Sequence, residues 1–260
     1  MPRPRRPRRR MPNSTVQFPL SKSDLDTAVR KAVAAYWRAR SGQAKRQSQR
    51  GGSDTGTRGE VTGGQHLNAF SELIVDVVRL AGFTDSEIRL KSGVELPGYF
   101  RPTKKWDIVV VRDGRLCAAI EMKSQVGPSF GNNFNNRSEE AIGSSTDFWV
   151  AYREGVLGPH QPWVGYFLLV EESDKSVSPV RMSRAVFEPM PIFNNTSYID
   201  RYAILCQRLV LERNYTAAAL LTSPRGISGA FREPTSALSF EHFVRSLFGH
   251  LVGVEGSRNA

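Results

Sequence analysis

The sequence predicts an α/β fold, a single domain with a mixed central sheet flanked by helices, on three observations. Amphipathic stripes and apolar runs alternate along the chain in the order helix, strands, helix, strand, helix. Residues 107–123, D-I-V-V-V-R-D-G-R-L-C-A-A-I-E-M-K, hold two apolar runs around an Arg-Asp-Gly-Arg turn, which reads as a β-hairpin. Trp163–Val170 is almost wholly apolar, as expected of a strand covered on both faces.

Each element follows from local chemistry. Residues 1–20 are polar and Pro-rich and read as a disordered basic arm, leaving 21–255 as the folded domain. Ser23 with Asp26 forms a capping box, and Leu25, Ala28, Val29, Ala32 and Tyr36 mark a helical stripe running to about Arg46. A flexible Gly/Ser/Thr-rich loop of about 47–64 follows. The spacing of Phe70, Leu73, Ile74, Val77, Val78 and Ala81 predicts a second helix over Leu67–Ala81, stopped by Gly82. Ile88–Leu90 is a short strand, and Pro97, Gly98 and Pro102 break the chain before the hairpin. Gly127–Asn136 reads as a Gly/Asn-rich loop, Arg137–Arg153 as a helix. Ser197 and Asp200 cap another helix, and Ser239 opens the last.

Composition excludes several classes. No apolar run reaches the ~18 residues of a membrane span. No apolar segment follows the Arg-rich N-terminus, so no secretory signal is read there and the expected location is the cytoplasm. Cys117 and Cys206 sit in apolar segments as small buried hydrophobes, and four scattered histidines argue against a structural zinc. The six arginines of residues 1–10 carry six of the eleven net positive charges, leaving +5 for the rest. Thr27–Ser53 holds seven basic residues and no acid, chemistry suited to tracking phosphates and equally to a solvated helix face.

The hairpin carries the chemistry. Strand alternation puts Glu121 and Lys123 on one face and Met122 on the other. Asp107 and Glu121 could hold Mg²⁺, with the Met122 carbonyl as a further ligand, and Lys123 would position water and offset charge. The pattern alone fits a surface salt bridge as well as a nuclease. Lys123 is, however, the one lysine of eight with an acid two residues before it. A two-residue Asp113-Gly114 turn would pair Asp107 with Ile120 and put Glu121 on the wrong face. A working site therefore predicts an odd loop, a bulge, or Asp107 on a bend outside the ladder.

Three further groups are candidates. Asn132, Asn133, Asn135, Asn136 and Arg137, with Glu139 and Glu140, have the donors and acceptors to read bases; the plainer reading is a turn capping the next helix. Lys104 and Lys105 read as phosphate clamps, and Gln125 as lining the site. Glu72 is a candidate third carboxylate, or simply a solvent-facing helical residue.

The stretches P-G-Y-F-R-P-T-K-K-W-D-I-V-V-V (97–111) and I-E-M-K-S-Q-V-G-P-S-F-G-N-N-F-N-N-R-S-E-E-A-I-G (120–143) closely resemble the XhoI-type restriction endonucleases. So do W-V-A-Y-R-E-G (149–155) and N-T-S-Y-I-D-R-Y (195–202), and the resemblance spans about Leu25 to Val252. It implies a PD-(D/E)xK nuclease core and a Mg²⁺-dependent type II enzyme that cuts CTCGAG in double-stranded DNA after the first C, leaving 5′ overhangs. By that resemblance Asp107 and Glu121 are metal ligands and Lys123 the catalytic lysine, with Trp106 where a proline is usual. A palindromic target implies a homodimer, and a DNA methyltransferase acting on the same site is a possible functional partner. The alternatives are a non-catalytic sequence-specific DNA-binding protein and a related nuclease with a repair or junction-resolving role.

Overall fold

A computed structural model describes residues 17–49, 66–182 and 186–256. The Arg-rich arm up to residue 16 and residues 50–65 lie outside the described residues, and the start of the loop read over 47–64 is corrected, because residues 47–49 continue the first helix. The architecture is α/β, a mixed five-stranded sheet between two layers of helices.

The first helix, α1 (Lys22–Gln49), buries Leu25, Val29, Ala32, Val33, Tyr36 and Trp37 and leaves Arg30, Lys31 and Arg38 exposed. Its cap is Ser21 rather than Ser23: Asp24 N donates to Ser21 Oγ at 3.1 Å, and Ser21 Oγ donates to Asp24 at 2.7 Å. Both serines have an acid three residues on, and the sequence pattern cannot choose between them. The second helix, α2 (Asn68–Leu80), buries Phe70, Ile74, Val77 and Val78. Gly82, at φ 91°, ends it in a conformation that costs glycine nothing.

β1 (Ile88–Arg89), β4 (Ile108–Arg112) and β5 (Arg115–Gln125) pair antiparallel. β6 (Trp163–Glu172) and β7 (Ala217–Pro224) extend the sheet parallel to β5, giving the order β1-β4-β5-β6-β7. β7 is absent from the sequence reading because its A-A-A-L-L opening is poor strand-forming material. It is held by burial on both faces. A separate two-stranded ribbon, β2 (Glu95–Pro97) with β3 (Thr103–Lys105), occupies the region read as a simple break at Pro97, Gly98 and Pro102.

The third helix, α3, spans Phe130–Arg153, so the Asn-rich segment is its first two turns and not a loop. Asparagine's weak helix propensity hid this start, which Phe130, buried on the sheet, enforces. A short helix α4 (Asp174–Val177) precedes α5 (Tyr198–Leu211), whose expected box is present: Asp200 N donates to Ser197 Oγ, and Ser197 N to Asp200. The last helix, α6, covers Phe240–Gly256.

Two apolar cores lie on opposite faces of the sheet. α1, α2 and α6 pack over Ile108, Val110, Ile120 and Met122, while α3 and α5 pack over Val109, Ala119, Tyr166 and Leu168. Cys117 and Cys206 are both buried and free, as the apolar reading expects.

Candidate active site

The site is built by a bulge. At the turn, Asp113 and Gly114 both take positive φ (51° and 73°), the two-residue geometry that Asp-Gly favours. Arg112 then pairs with Arg115 and Val111 with Leu116, but the register shifts and Val110 pairs with Ala118. Cys117 is the extra residue. Beyond it Val109 pairs with Ala119 and Ile108 with Ile120, so the next residues, Asp107 and Glu121, stand opposite on one face. Asp107 itself lies on a bend just before β4, with its N–H donating to the Ile120 carbonyl at 3.1 Å. The register problem posed by the short turn is thus solved by a bulge and a bend together.

Val109 and Ala119 belong to the α3/α5 core, and alternation places Asp107, Glu121 and Lys123 on that same side. Asp107 Oδ2 accepts from Met122 N–H at 2.7 Å. The N–H and C=O of one strand residue point toward the same edge, so the Met122 carbonyl faces the edge where Asp107 sits. Glu121 is buried and engaged at both oxygens. Oε1 lies 3.1 Å from Lys123 Nζ and 3.2 Å from Lys104 Nζ, and Oε2 accepts from the Tyr215 hydroxyl at 3.1 Å.

The charges tune one another. Burial alone would raise the Glu121 carboxyl, but Lys104 and Lys123 hold it below its ordinary range. Burial raises the Asp107 carboxyl, and the Met122 N–H and Lys123 offset only part of that. For Lys104 burial wins and its ammonium is pushed down, whereas Glu121 and Glu140 carry Lys123 above its usual value. A divalent cation fits this donor set. Two carboxylates on one face and a carbonyl are hard oxygen ligands of the kind such an ion takes.

Other candidates are redistributed. Lys104 is not a surface phosphate clamp: its side chain is 12% exposed, reaches Glu121, and lies 4.2 Å from the Trp106 ring centroid. Trp106, which the sequence reading gave no role, is the apolar shelf that carries this cation. Lys105 is exposed on β3 as a phosphate contact requires. Gln125 is 2% exposed and shares its strand face with Glu121 and Lys123, and its amide nitrogen donates to the Val126 carbonyl at 2.7 Å. Glu72 is exposed on α2, whose Ser71 touches Met122 Sδ at 3.5 Å. That helix covers the opposite face of the sheet from Glu121, so Glu72 is excluded as a third carboxylate. Among the described residues no group of three or more His, Cys, Asp or Glu side chains is placed to share a metal.

On α3, Asn132, Asn135, Asn136 and Glu139 are exposed and Asn133 is half-buried. Arg137 pairs with Glu140, and Glu140 Oε2 stands 3.6 Å from Lys123 Nζ. The two residues read as base contacts are therefore tied into the charges around Glu121, in an alternating chain Arg137, Glu140, Lys123, Glu121, Lys104. Tyr215, which orients Glu121, gave no sequence signal: it stands alone in a short turn before β7 and reaches the site only through the fold.

Comparison with known proteins finds one matching family model and several similar chains. A family model described as restriction endonuclease XhoI matches residues 46–233. The chain is 43% identical over 211 residues to the type II restriction enzyme BstVI of Geobacillus stearothermophilus, covering 78% of this chain and 94% of the relative. It is 40% identical over 232 residues to the type II restriction enzyme XhoI of Xanthomonas vasicola, covering 86% and 92%. It is also 46% identical over 159 residues to the type II restriction enzyme AbrI of Azospirillum brasilense, covering 60% and 71%. No solved structure matches the chain significantly.

Proposed function

The chain belongs to the XhoI family of type II restriction endonucleases, and from that premise we propose that it is a Mg²⁺-dependent enzyme cutting CTCGAG after the first C. The products are 5′ overhangs with 5′-phosphate ends. The observation that carries the catalytic part is the bulge at Cys117, which sets Asp107 against Glu121 with Lys123 on the same carboxylate. A PD-(D/E)xK core is the reading this hairpin supports.

In this proposal Asp107, Glu121 and the Met122 carbonyl hold the cation, which when bound supplies a Lewis acid and a water of lowered pKa. Lys123 orients the attacking water and offsets the charge that develops on the phosphoryl oxygens. Tyr215 fixes the Glu121 carboxylate by its second oxygen, so Oε1 keeps one direction. Asn132, Asn133, Asn135, Asn136 and Glu139 on α3 face the bases, and Lys105 contacts a phosphate. Residues 21–255 act as one domain, and two copies match the two-fold target.

No helix among the described residues is long and apolar enough to cross a membrane. The proposed setting is the cytoplasm, where a methyltransferase of the same specificity protects host DNA without being a stable subunit. The test is digestion of phage λ DNA with Mg²⁺ and sequencing of the ends. Ends mapping to CTCGAG support the target; ends at another sequence, or intact DNA with folded protein, overturn it.

A further inference from the structure

Resting on the endonuclease reading, we propose that the tip of the β2–β3 ribbon is a base-stacking wedge: Phe100 enters the stack of duplex DNA beside the cut phosphate, braced by Tyr99. The tip, G-Y-F-R-P over 98–102, leaves Tyr99 57% and Phe100 71% exposed. Two adjacent aromatic rings in water forgo the burial that normally stabilises such side chains, so folding alone does not account for them.

Slack in the loop does not account for them either. Asp147, buried on α3, accepts from Tyr99 N–H at 2.6 Å and Phe100 N–H at 2.8 Å through Oδ1, and from Arg101 Nε at 2.7 Å through Oδ2. Gly98 permits this approach, since a Cβ there would stand 2.4 Å from Asp147 Oδ2 and 2.7 Å from the Arg101 carbonyl. One buried carboxylate with three donors makes a rigid mount that carries two apolar rings outward. That is the construction of a preorganised contact.

Ring geometry assigns the roles. The centroids are 5.2 Å apart and the planes 80° from parallel, so both rings cannot lie flat on one base step. Phe100, the more exposed, is the stacking ring, and Tyr99 supports it edge to face.

Position in the chain selects the occupant. Lys104 Nζ contacts Glu121, and Phe100 is four residues earlier, at most about 14 Å of extended chain at roughly 3.4 Å per residue. A phosphodiester held at Asp107 and Glu121 therefore brings its neighbouring base pairs toward the tip, and Lys105, between Phe100 and Asp107 in the chain, is exposed on β3. Apolar side chains entering a base step unstack it, and the cost depends on the step, which gives sequence preference without a hydrogen bond to a base edge.

The test uses the full chain with duplexes containing CTCGAG. Each duplex carries 2-aminopurine for one adenine or pyrrolocytosine for one cytosine of the site and its flanks, held uncut in Ca²⁺. Wild type is expected to raise fluorescence severalfold at one step. Phe100→Ala should abolish that rise and weaken specific binding by roughly tenfold to a hundredfold, the usual range for one stacked base. Phe100→Trp should keep the rise, and Asp147→Asn should reduce it with both rings still present. No rise at any position, or an unchanged rise in Phe100→Ala, overturns the wedge. A Phe100→Ala protein that sediments as a monomer where wild type is a dimer assigns the rings to a second copy, and also overturns it. Wild type that leaves the duplex uncut in Mg²⁺ sinks the target reading and the wedge together, whereas cutting with a flat signal sinks the wedge alone.

Discussion

The Lys104 ammonium lies 3.2 Å from Oε1 of Glu121, the same oxygen that Lys123 reaches at 3.1 Å. Two cations on one carboxylate oxygen occupy the direction a metal ion would use. Lys104→Met should therefore bind Mn²⁺ more tightly in the absence of DNA, by about tenfold, since each 1.4 kcal/mol of relieved competition is worth that factor. Titration calorimetry of the DNA-free protein decides it. Equal or weaker affinity in the variant means that Lys104 does not compete with the ion.

Asp107 and Glu121 are expected to serve cleavage and not target affinity. Asp107→Ala and Glu121→Ala should each lower cutting of a CTCGAG duplex by about a hundred- to a thousandfold, on the scale of losing a group that stabilises developing charge. Specific binding in Ca²⁺ should remain measurable by gel shift. A variant that cuts at near the normal rate removes its residue from the metal-holding set.

Tyr215→Phe deletes the hydroxyl that approaches Glu121 Oε2 at 3.1 Å and the Ala141 carbonyl at 3.2 Å. A hydrogen bond to a charged group contributes about 1.5–3 kcal/mol, so kcat should fall by roughly ten- to a hundredfold. KM should move little, because the hydroxyl touches Glu121 and no DNA contact is assigned to it. A rise in KM at constant kcat would place Tyr215 in binding instead.

Stability in acid depends on a pair far from the site. Arg112, buried against Phe83, meets Glu87 Oε1 at 2.5 Å and Oε2 at 3.0 Å and donates to the Gly82 carbonyl at 2.7 Å. The bond from Arg112 pulls the Glu87 carboxyl down to about 2 from its ordinary 4.5. Because the folded value is the lower one, this contribution is complete above about 4.5 and is lost as pH falls toward about 2. Urea unfolding at a series of pH values should show that loss, and Arg112→Met should shrink it while costing about 1.5–3 kcal/mol at neutral pH. An acid limb as steep in the variant as in wild type would assign the loss to other carboxylates.

Gly98→Ala puts a methyl group onto Asp147 and the Arg101 carbonyl. The expected cost is about 1–3 kcal/mol by urea unfolding, the range for forcing an extra carbon into a tight contact. A cost near zero would show that the tip gives way freely.

The hairpin was legible because alternation and turn chemistry are local: D-G set the turn, and the need for Asp107 to meet Glu121 predicted an irregularity that the chain supplies at Cys117. Helix α2 and the box at Ser197 were legible for the same reason. Long-range contacts were not. Nothing in the sequence near Tyr215 points to Glu121, 94 positions away, and only the parallel pairing of β5, β6 and β7 brings them together. Lys104 looked like a surface cation because its burial depends on Trp106 lying beneath it. Glu72 was excluded only when α2 packed on the Met122 face.

The bulge at Cys117 also sets a rule for how this hairpin can vary. Pairing of Asp107 with Glu121 depends on the combined length of turn and bulge and not on where the odd residue sits. A three-residue turn with a regular second strand would give the same alignment. Gaps among related sequences should therefore come in compensating pairs, one at the turn and one near Cys117, or else in steps of two. A lone single-residue insertion or deletion between Asp107 and Glu121 would turn the acid and lysine to the opposite face while leaving every residue of the motif in place.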